Sequence, residues 1–313
     1  MLLCLSPMSQ HTNSLLSSAA LVALIATATL ILVSEAAFQP GWEPPLCLDA
    51  KFKPTNVSIE NDTVSPYIMG DNGPQAGFQS TKFHVFNRTT GKMELFFVRG
   101  AGYSPLPPSK YTYGQPFDMF TSEYRYVWER DLIRMKEMGA NTVRVWSWDS
   151  FRDHSDFLDH LYQNDLYIMV PFMFTQADYR DLSKASTRKQ VLTDWKAFVL
   201  SVMNHPAVLA FLIGNELNTN FGAQRQELFG LVNEMIRIRN NIDLARHPVS
   251  LPLSDVAFVD AYSNPFYQWS AMEFWSLQTY RPQRAIYKPI ENYYFSYIVN
   301  MSRLGIPFRP LVL

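Results

Sequence analysis

The stretch Phe211-Leu212-Ile213-Gly214-Asn215-Glu216-Leu217-Asn218 brings a glycine, an amide and a carboxylic acid together at the end of an apolar run. Val208 to Ile213 reads as a buried strand, so Asn215 and Glu216 stand at its C-terminal edge. An ionised carboxylate there costs on the order of several kcal/mol of desolvation unless it is paired or hydrogen-bonded. That cost is tolerable where the group is useful in its protonated form. Such an acid can give a proton to a departing glycosidic oxygen and then take one from water or from a second sugar. Asn215, one residue earlier, can hydrogen-bond a sugar hydroxyl beside the reacting carbon. The plainer role of an Asn-Glu pair is to cap a following helix. A long apolar strand ahead of it, inside a repeating β/α pattern, favours the catalytic role.

The elements that would position these groups follow from periodicity. Residues 38 to about 82 are rich in Pro, Gly, Asn and Ser and show no sustained period, which predicts an exposed irregular segment. Phe83 to Phe86, a turn through Asn87 to Lys92, and Glu94 to Val98 read as a hairpin that enters the first buried strand. A helix follows, capped by Thr121 or Ser122, with Tyr124, Trp128, Leu132 and Met135 on its apolar stripe and Gly139 ending it. Strands are expected at Thr142 to Trp146, Leu166 to Phe172, Val208 to Ile213, Val249 to Leu253, Phe274 to Thr279 and Arg309 to Leu313. Between them, Phe157, Leu158, Leu161 and Tyr162, then Val191, Trp195, Phe198, Val199 and Val202, then Leu228, Leu231, Val232, Met235 and Ile236 keep helical spacing. Apolar strands that each lead into a helix mean a parallel sheet covered by helices, the α/β class. No Gly-rich phosphate loop follows the first strand, and polar residues end several strands, which favours a (β/α)8 barrel over a doubly wound sheet. Seven strands of eight can be counted. The expected division is 1–36 leader, 37–92 exposed segment and hairpin, and 93–313 barrel.

From about Phe96 onward the sequence resembles the clan A retaining glycosidases, and within them the β-1,3-glucanosyltransferase and family 2 and family 5 barrels. The resemblance is carried by Phe97-Val98-Arg99-Gly100-Ala101-Gly102-Tyr103, by Asp131 to Val145, and most specifically by His205-Pro206-Ala207-Val208-Leu209-Ala210-Phe211-Leu212-Ile213-Gly214-Asn215-Glu216. It implies a (β/α)8 barrel with the acid/base on the fourth strand and a nucleophilic Glu on the seventh. Carried over by position, Glu216 resembles the acid/base and Asn215 the contact to the 2-hydroxyl. Arg144 resembles the Arg that supports the nucleophile; its plain alternative is a structural ion pair. Tyr280 stands where the clan often has a Tyr touching the nucleophile, or packs at the rim. Tyr103, Trp146 and Trp148 stand where sugar platforms would be, or belong to the core. Arg309 to Leu313 resembles the seventh strand, so the nucleophile is expected beyond Leu313. Asp149, Asp178, Asp255 and Asp260 fall on loops and can line subsites, without a claim to the second catalytic position.

Composition agrees with a secreted enzyme on an uncharged polymer. Net charge is −1 with both signs interspersed, so there is no basic stripe to hold nucleic acid. Ala19 to Val33 is an apolar run followed by Ser34-Glu35-Ala36-Ala37, which suits a signal peptide cleaved after Ala36, with an uncleaved membrane anchor as the alternative. Sequons at Asn56, Asn61, Asn87 and Asn300 support the secretory route and an extracellular or cell-wall location. Cys4 lies ahead of the cleavage point, so Cys47 is expected as a free thiol or as paired with a cysteine outside the given sequence. His154 and His160 are wrongly spaced for a helical metal pair and no GxSxG occurs, so neither a metal nor another cofactor is expected. The expected function is retaining cleavage of a β-glucan or β-mannan by hydrolysis or transfer, with a polysaccharide or oligosaccharide as partner. The rival is a secreted glycan-binding or wall protein with a degenerate barrel.

Overall fold

Most elements form where the periodicity places them. The computed structural model describes residues 57–62, 68–70, 73–75, 80–87, 90–106, 117–175, 177–254, 271–278 and 311–312. All of them lie in the unit Pro44–Leu313. The apolar run 19–33, Cys4, Cys47, Tyr280, Asp255, Asp260 and the sequon asparagines Asn56 and Asn300 lie outside the described residues. Among the described residues no helix is long and apolar enough to cross a membrane.

The N-terminal part is more ordered than expected. Strands β1 (Val57–Asp62), β2 (Ile68–Gly70), β3 (Gly73–Gln75), β4 (Ser80–Asn87) and β5 (Lys92–Leu95) occupy much of it. β1, β4 and β5 form an antiparallel sheet in the order β1-β4-β5, while β2 and β3 pair with each other. The sequence signal was too short to register: Val57 and Ile59 alternate with Ser58 and Glu60 for barely four residues. The expected hairpin is present, turned at Gly91, whose φ of 67° suits a residue without Cβ.

The barrel strands are β6 (Gly100–Tyr103), β7 (Thr142–Val145), β8 (Tyr167–Phe172), β9 (Val208–Ile213) and β10 (Val249–Ser250), all parallel and hydrogen-bonded in sequence order. β11 (Pro252–Ser254), β12 (Trp275–Gln278) and β13 (Leu311–Val312) continue in parallel. Only Leu251 separates β10 from β11, so one strand serves both ladders. Seven positions of a (β/α)8 barrel result, in an arc that does not close among the described residues. Helices α1 (Arg125–Glu137), α2 (Ser155–Gln163), α3 (Ala185–Val202), α4 (Leu217–Asn220) and α5 (Arg225–Ile242) lie between the strands. Thr121 is the cap residue of the turn that leads into α1 and makes no side-chain cap bond; its carbonyl instead accepts Tyr124 N–H and Trp128 Nε1–H.

One strand is displaced from its expected place. Glu94 to Val98 does not feed directly into a buried strand: Leu95 and Phe97 are 61% and 76% exposed, and the first barrel strand is β6. Gly102 pairs with Arg144 and Tyr103 with Val145, which sets the parity of everything at the first strand.

Two apolar cores lie on the two faces of the sheet. Val143, Val145, Val170, Phe172, Phe211, Ile213, Trp275 and Leu277 meet the helices. Met169, Leu209, Leu212 and Phe274 point inward and meet Val57, Phe83 and Val85 of the N-terminal sheet. Phe83 and Phe274 pack edge to face at 5.3 Å. The N-terminal sheet therefore plugs the barrel at the end opposite Asn215 and Glu216.

Candidate active site

A cavity of about 120 Å³ opens at the C-terminal ends of the strands. Arg144 lines it from β7 and Trp146 from just past it, Pro171 from β8 and Met173 from just past it, and Leu212 from β9 with Gly214 and Asn215 following. The alternation of strand side chains explains the set. Arg144 and Trp146 are two apart and point inward, while Val143 and Val145 face the helices.

Arg144 is the hub. Its guanidinium carbon lies 4.6 Å from the centroid of the Trp146 ring, a cation–π contact, and its Nη2 donates to Asn215 Oδ1 at 2.9 Å. Gln278, the last residue of β12, donates from Nε2 to the same oxygen. The ring of Trp146 reaches so close to β6 that a Cβ on Gly102 would stand 2.8 Å from it. Gly102, Trp146, Arg144, Asn215 and Gln278 thus form one chain of contacts across the mouth, from the first strand to the sixth.

Glu216 follows Asn215 and is half-buried. Its backbone is left-handed, with φ 51° and ψ 35°, an arrangement that costs a side-chain-bearing residue about 1–2 kcal/mol. The turn is held from both sides. Glu216 N–H donates to Pro252 O at 2.9 Å, and Glu216 O accepts Thr219 N–H and the Thr219 hydroxyl. Asn218, fully buried, exchanges two hydrogen bonds with the main chain of Ser254. The tight turn also needs Gly214, whose φ is 58°. A Cβ there would sit 2.7 Å from Leu217 Cδ1 and 2.9 Å from Phe174 O. Gly214→Ala is expected to cost about 2–4 kcal/mol from left-handed strain and crowding together. Chemical denaturation checks this, and a loss under about 1 kcal/mol would show that the turn is not tightly constrained.

Among the residues expected at the site, Arg144, Trp146 and Asn215 meet at the cavity, with Glu216 next in the chain. Tyr103 does not join them. It is buried against Phe120 on the helix side, and its hydroxyl donates to Asp131 of α1 at 3.0 Å. Burial, reinforced by the Asp131 carboxylate, pushes its phenol well above the ordinary tyrosine value. The reason is register: Tyr103 stands level with Val145, not with Arg144. Trp148 is likewise core, stacked on His154 at 3.8 Å. His154 in turn meets Asp118 Oδ2 at 2.8 Å, and the N–H groups of Asp149 and Phe120 also donate to that carboxylate. Burial pushes the Asp118 carboxyl up, but these partners outweigh it and hold it below the ordinary value. The pair pins together the loops that follow β6 and β7. Asp149 therefore binds a loop through its backbone, and Asp178 bonds to Thr175 on the loop after β8. Gln278 and Gly102 were not singled out by the sequence. A glycine inside a strand does signal close approach of another group, whereas a lone Gln at a strand end carries no such signal.

Comparison with known proteins agrees with the fold. The glucanosyltransferase family of glycoside hydrolases, family 72, matches residues 78–257. The 1,3-beta-glucanosyltransferase GAS5 of Saccharomyces cerevisiae is 31% identical over 133 residues, covering 42% of this chain and 26% of the relative. The 1,3-beta-glucanosyltransferase PGA4 of Candida albicans is 26% identical over 125 residues, covering 40% and 26%. A solved structure of a Saccharomyces cerevisiae Gas2p mutant in complex with laminaritetraose and laminaripentaose superposes with a TM-score of 0.56 at 16% identity, covering 83% of this chain and 52% of that one. The complex of Gas2p with laminaripentaose superposes at 0.52 with 18% identity, covering 69% and 50%. The chain spans about half the length of these solved relatives, and the matched stretch about a quarter of the curated ones. With more than half of its residues matched, the chain belongs to the glucanosyltransferase family, glycoside hydrolase family 72.

Proposed function

We propose that this protein remodels β-1,3-glucan by retaining transglycosylation, with Glu216 as acid/base. The observation that carries the reading is the Asn215-Glu216 turn at the end of β9, where Arg144 and Gln278 grip Asn215 beside an open cavity. The names of the two curated relatives and the laminari-oligosaccharides in the Gas2p structures support the choice of β-1,3-glucan over other β-glycans.

In the first half-reaction the Glu216 carboxyl protonates the glycosidic oxygen while a nucleophilic carboxylate attacks the anomeric carbon, so the linkage breaks as the glycosyl ester forms. In the second, Glu216 takes the proton of an acceptor hydroxyl, whose oxygen displaces the ester. One β-linkage is lost and one gained. A retaining pair requires the two carboxyls about 5–5.5 Å apart. The register of β13 on β12 sets Val312 level with Ser276, so the position level with Gln278 falls two residues after Val312. The nucleophile is expected at or beside that position. Asn215, in the lining of the cavity, is the proposed contact to the sugar's 2-hydroxyl. Trp146, 37% exposed at the rim, offers a ring face to a pyranose.

The protein is proposed to act outside the cytosol, in the cell wall or at its surface. The apolar leader, the sequons and the wall-glucan substrate support that placement. The test is product analysis with laminaripentaose and the full-length protein. Products longer than the pentaose are expected beside shorter ones, which marks transfer. Only shorter products would change the reading to hydrolysis, and unchanged laminaripentaose would remove it.

A further inference from the structure

The indole of Trp146 is seated against two strands. The Arg144 guanidinium carbon on β7 lies 4.6 Å from its ring centroid, and its far edge reaches across to Gly102 on β6. A Cβ built on Gly102 would stand 2.8 Å from Cη2 and 3.1 Å from Cζ3 of that edge. Carbon atoms settle about 3.5–4.0 Å apart, so one methyl group would push the freer partner aside by roughly 1 Å. The strand is the less free of the two. All four residues of β6, Gly100 to Tyr103, pair with β7. Just ahead of it, Arg99 N–H donates to Asn141 Oδ1 at 2.8 Å and Arg99 Nε donates to Gly139 O at 2.9 Å. At its end Tyr103 is buried and bonded to Asp131. Trp146 stands just past the end of β7, 37% exposed, and lines the cavity. Gly102 is not among the glycines with positive φ, so its backbone accepts a side chain and what it supplies is space.

Resting on the glucan-transfer reading above, we propose that Gly102 is a positioning residue that sets where the Trp146 platform lies, and with it the fit of a pyranose at the rim. The missing side chain is a slot for the far edge of the indole. Gly102 itself is absent from the cavity lining, so it acts on the sugar through the ring. With the slot filled, the ring has to tilt, and its face no longer meets the C–H face of the sugar. Stacking on a sugar unit that does not itself react favours the bound substrate and the transition state alike. Loss of the slot should therefore appear in KM more than in kcat.

The experiment is a double-mutant cycle on the full-length protein with laminaripentaose. Gly102→Ala is expected to raise KM roughly 10-fold, with kcat within about 3-fold and no fall in Tm. In a Trp146→Ala background there is no ring to displace, and the same substitution is expected to leave KM within about 2-fold. A KM for Gly102→Ala within about 2-fold of wild type would overturn the proposal. So would the same rise in both backgrounds, since Gly102 would then act independently of Trp146. A Gly102→Ala protein that fails to fold would overturn it as well, because the strand and not the ring would have given way. If the wild-type protein leaves laminaripentaose unchanged, the proposed function fails by that result alone. The cycle is then read from the Kd for laminaripentaose by calorimetry, where an equal loss in both backgrounds, or no binding by the wild type, would overturn the seat.

Discussion

Glu216→Gln is expected to lower turnover of laminaripentaose by about 10³-fold while leaving the fold intact, since general acid–base catalysis supplies roughly 10²–10⁴. The substitution is isosteric, and backbone hydrogen bonds that it leaves in place hold this turn: Glu216 N–H to Pro252 O, and Thr219 to Glu216 O. Thermal stability should therefore hold while chemistry fails. The chemical signature is sharper than the loss itself. A donor with a strongly acidic phenol as leaving group needs no proton to depart, so the variant should form its glycosyl ester with such a donor and then stall. Added azide, which attacks without giving up a proton, should release the stalled ester as a β-glycosyl azide. A variant within about 10-fold of wild type on laminaripentaose would remove Glu216 from the mechanism.

The second large effect lies at the other end of the barrel. Arg239 of α5 is fully buried and ion-paired with Glu273, the residue just before Phe274. Glu273 Oε2 also accepts Val249 N–H at 2.9 Å, and Glu273 N–H donates to Val249 O at 3.0 Å. This carboxylate therefore joins α5, β10 and the approach to β12. Glu273→Ala leaves a guanidinium in the core with its ion-pair partner removed, and a cost of about 3–5 kcal/mol is expected. In a domain this large that lowers Tm by roughly 6–15 °C. A charge argument makes a further demand: Arg239→Leu combined with Glu273→Leu should be less damaging than Glu273→Ala, because no uncompensated charge remains. Calorimetry on the three proteins decides it. If the double variant is the least stable, packing and not charge governs the site.

How much of this was legible in the sequence depends on what each residue's neighbours are. The helices α1, α3 and α5 bury the residues their spacing selected, because a stripe of Trp128 and Leu132, or of Trp195, Phe198 and Val199, has one face to hide. β9 is buried along its whole length, as six apolar residues in a row require. The place of Asn215 and Glu216 just past the end of β9 was legible for the same reason: polarity begins abruptly after such a strand. Tyr103 was misplaced because the sequence does not state register. Phe96 to Val98 look like strand, but β6 starts at Gly100, and a single-residue change of parity moves the phenol from the mouth to the helix layer. Gln278 was invisible because its meaning lies in Asn215, 63 positions away. The left-handed turn at Glu216 was equally hidden, since Glu does not announce a positive φ as Gly214 does.

The plug formed by the N-terminal sheet sets the order of assembly. Phe83 and Val85 leave the ribosome early, yet the inward side chains they cover, Met169, Leu209 and above all Phe274, are made much later. Until then the apolar face of β4 has nowhere native to go, and contacts of such long separation form slowly. The nascent chain thus carries a sticky, strand-shaped surface through most of its synthesis. A helper that masks that hairpin during synthesis would raise the yield of folded protein without touching the folded state.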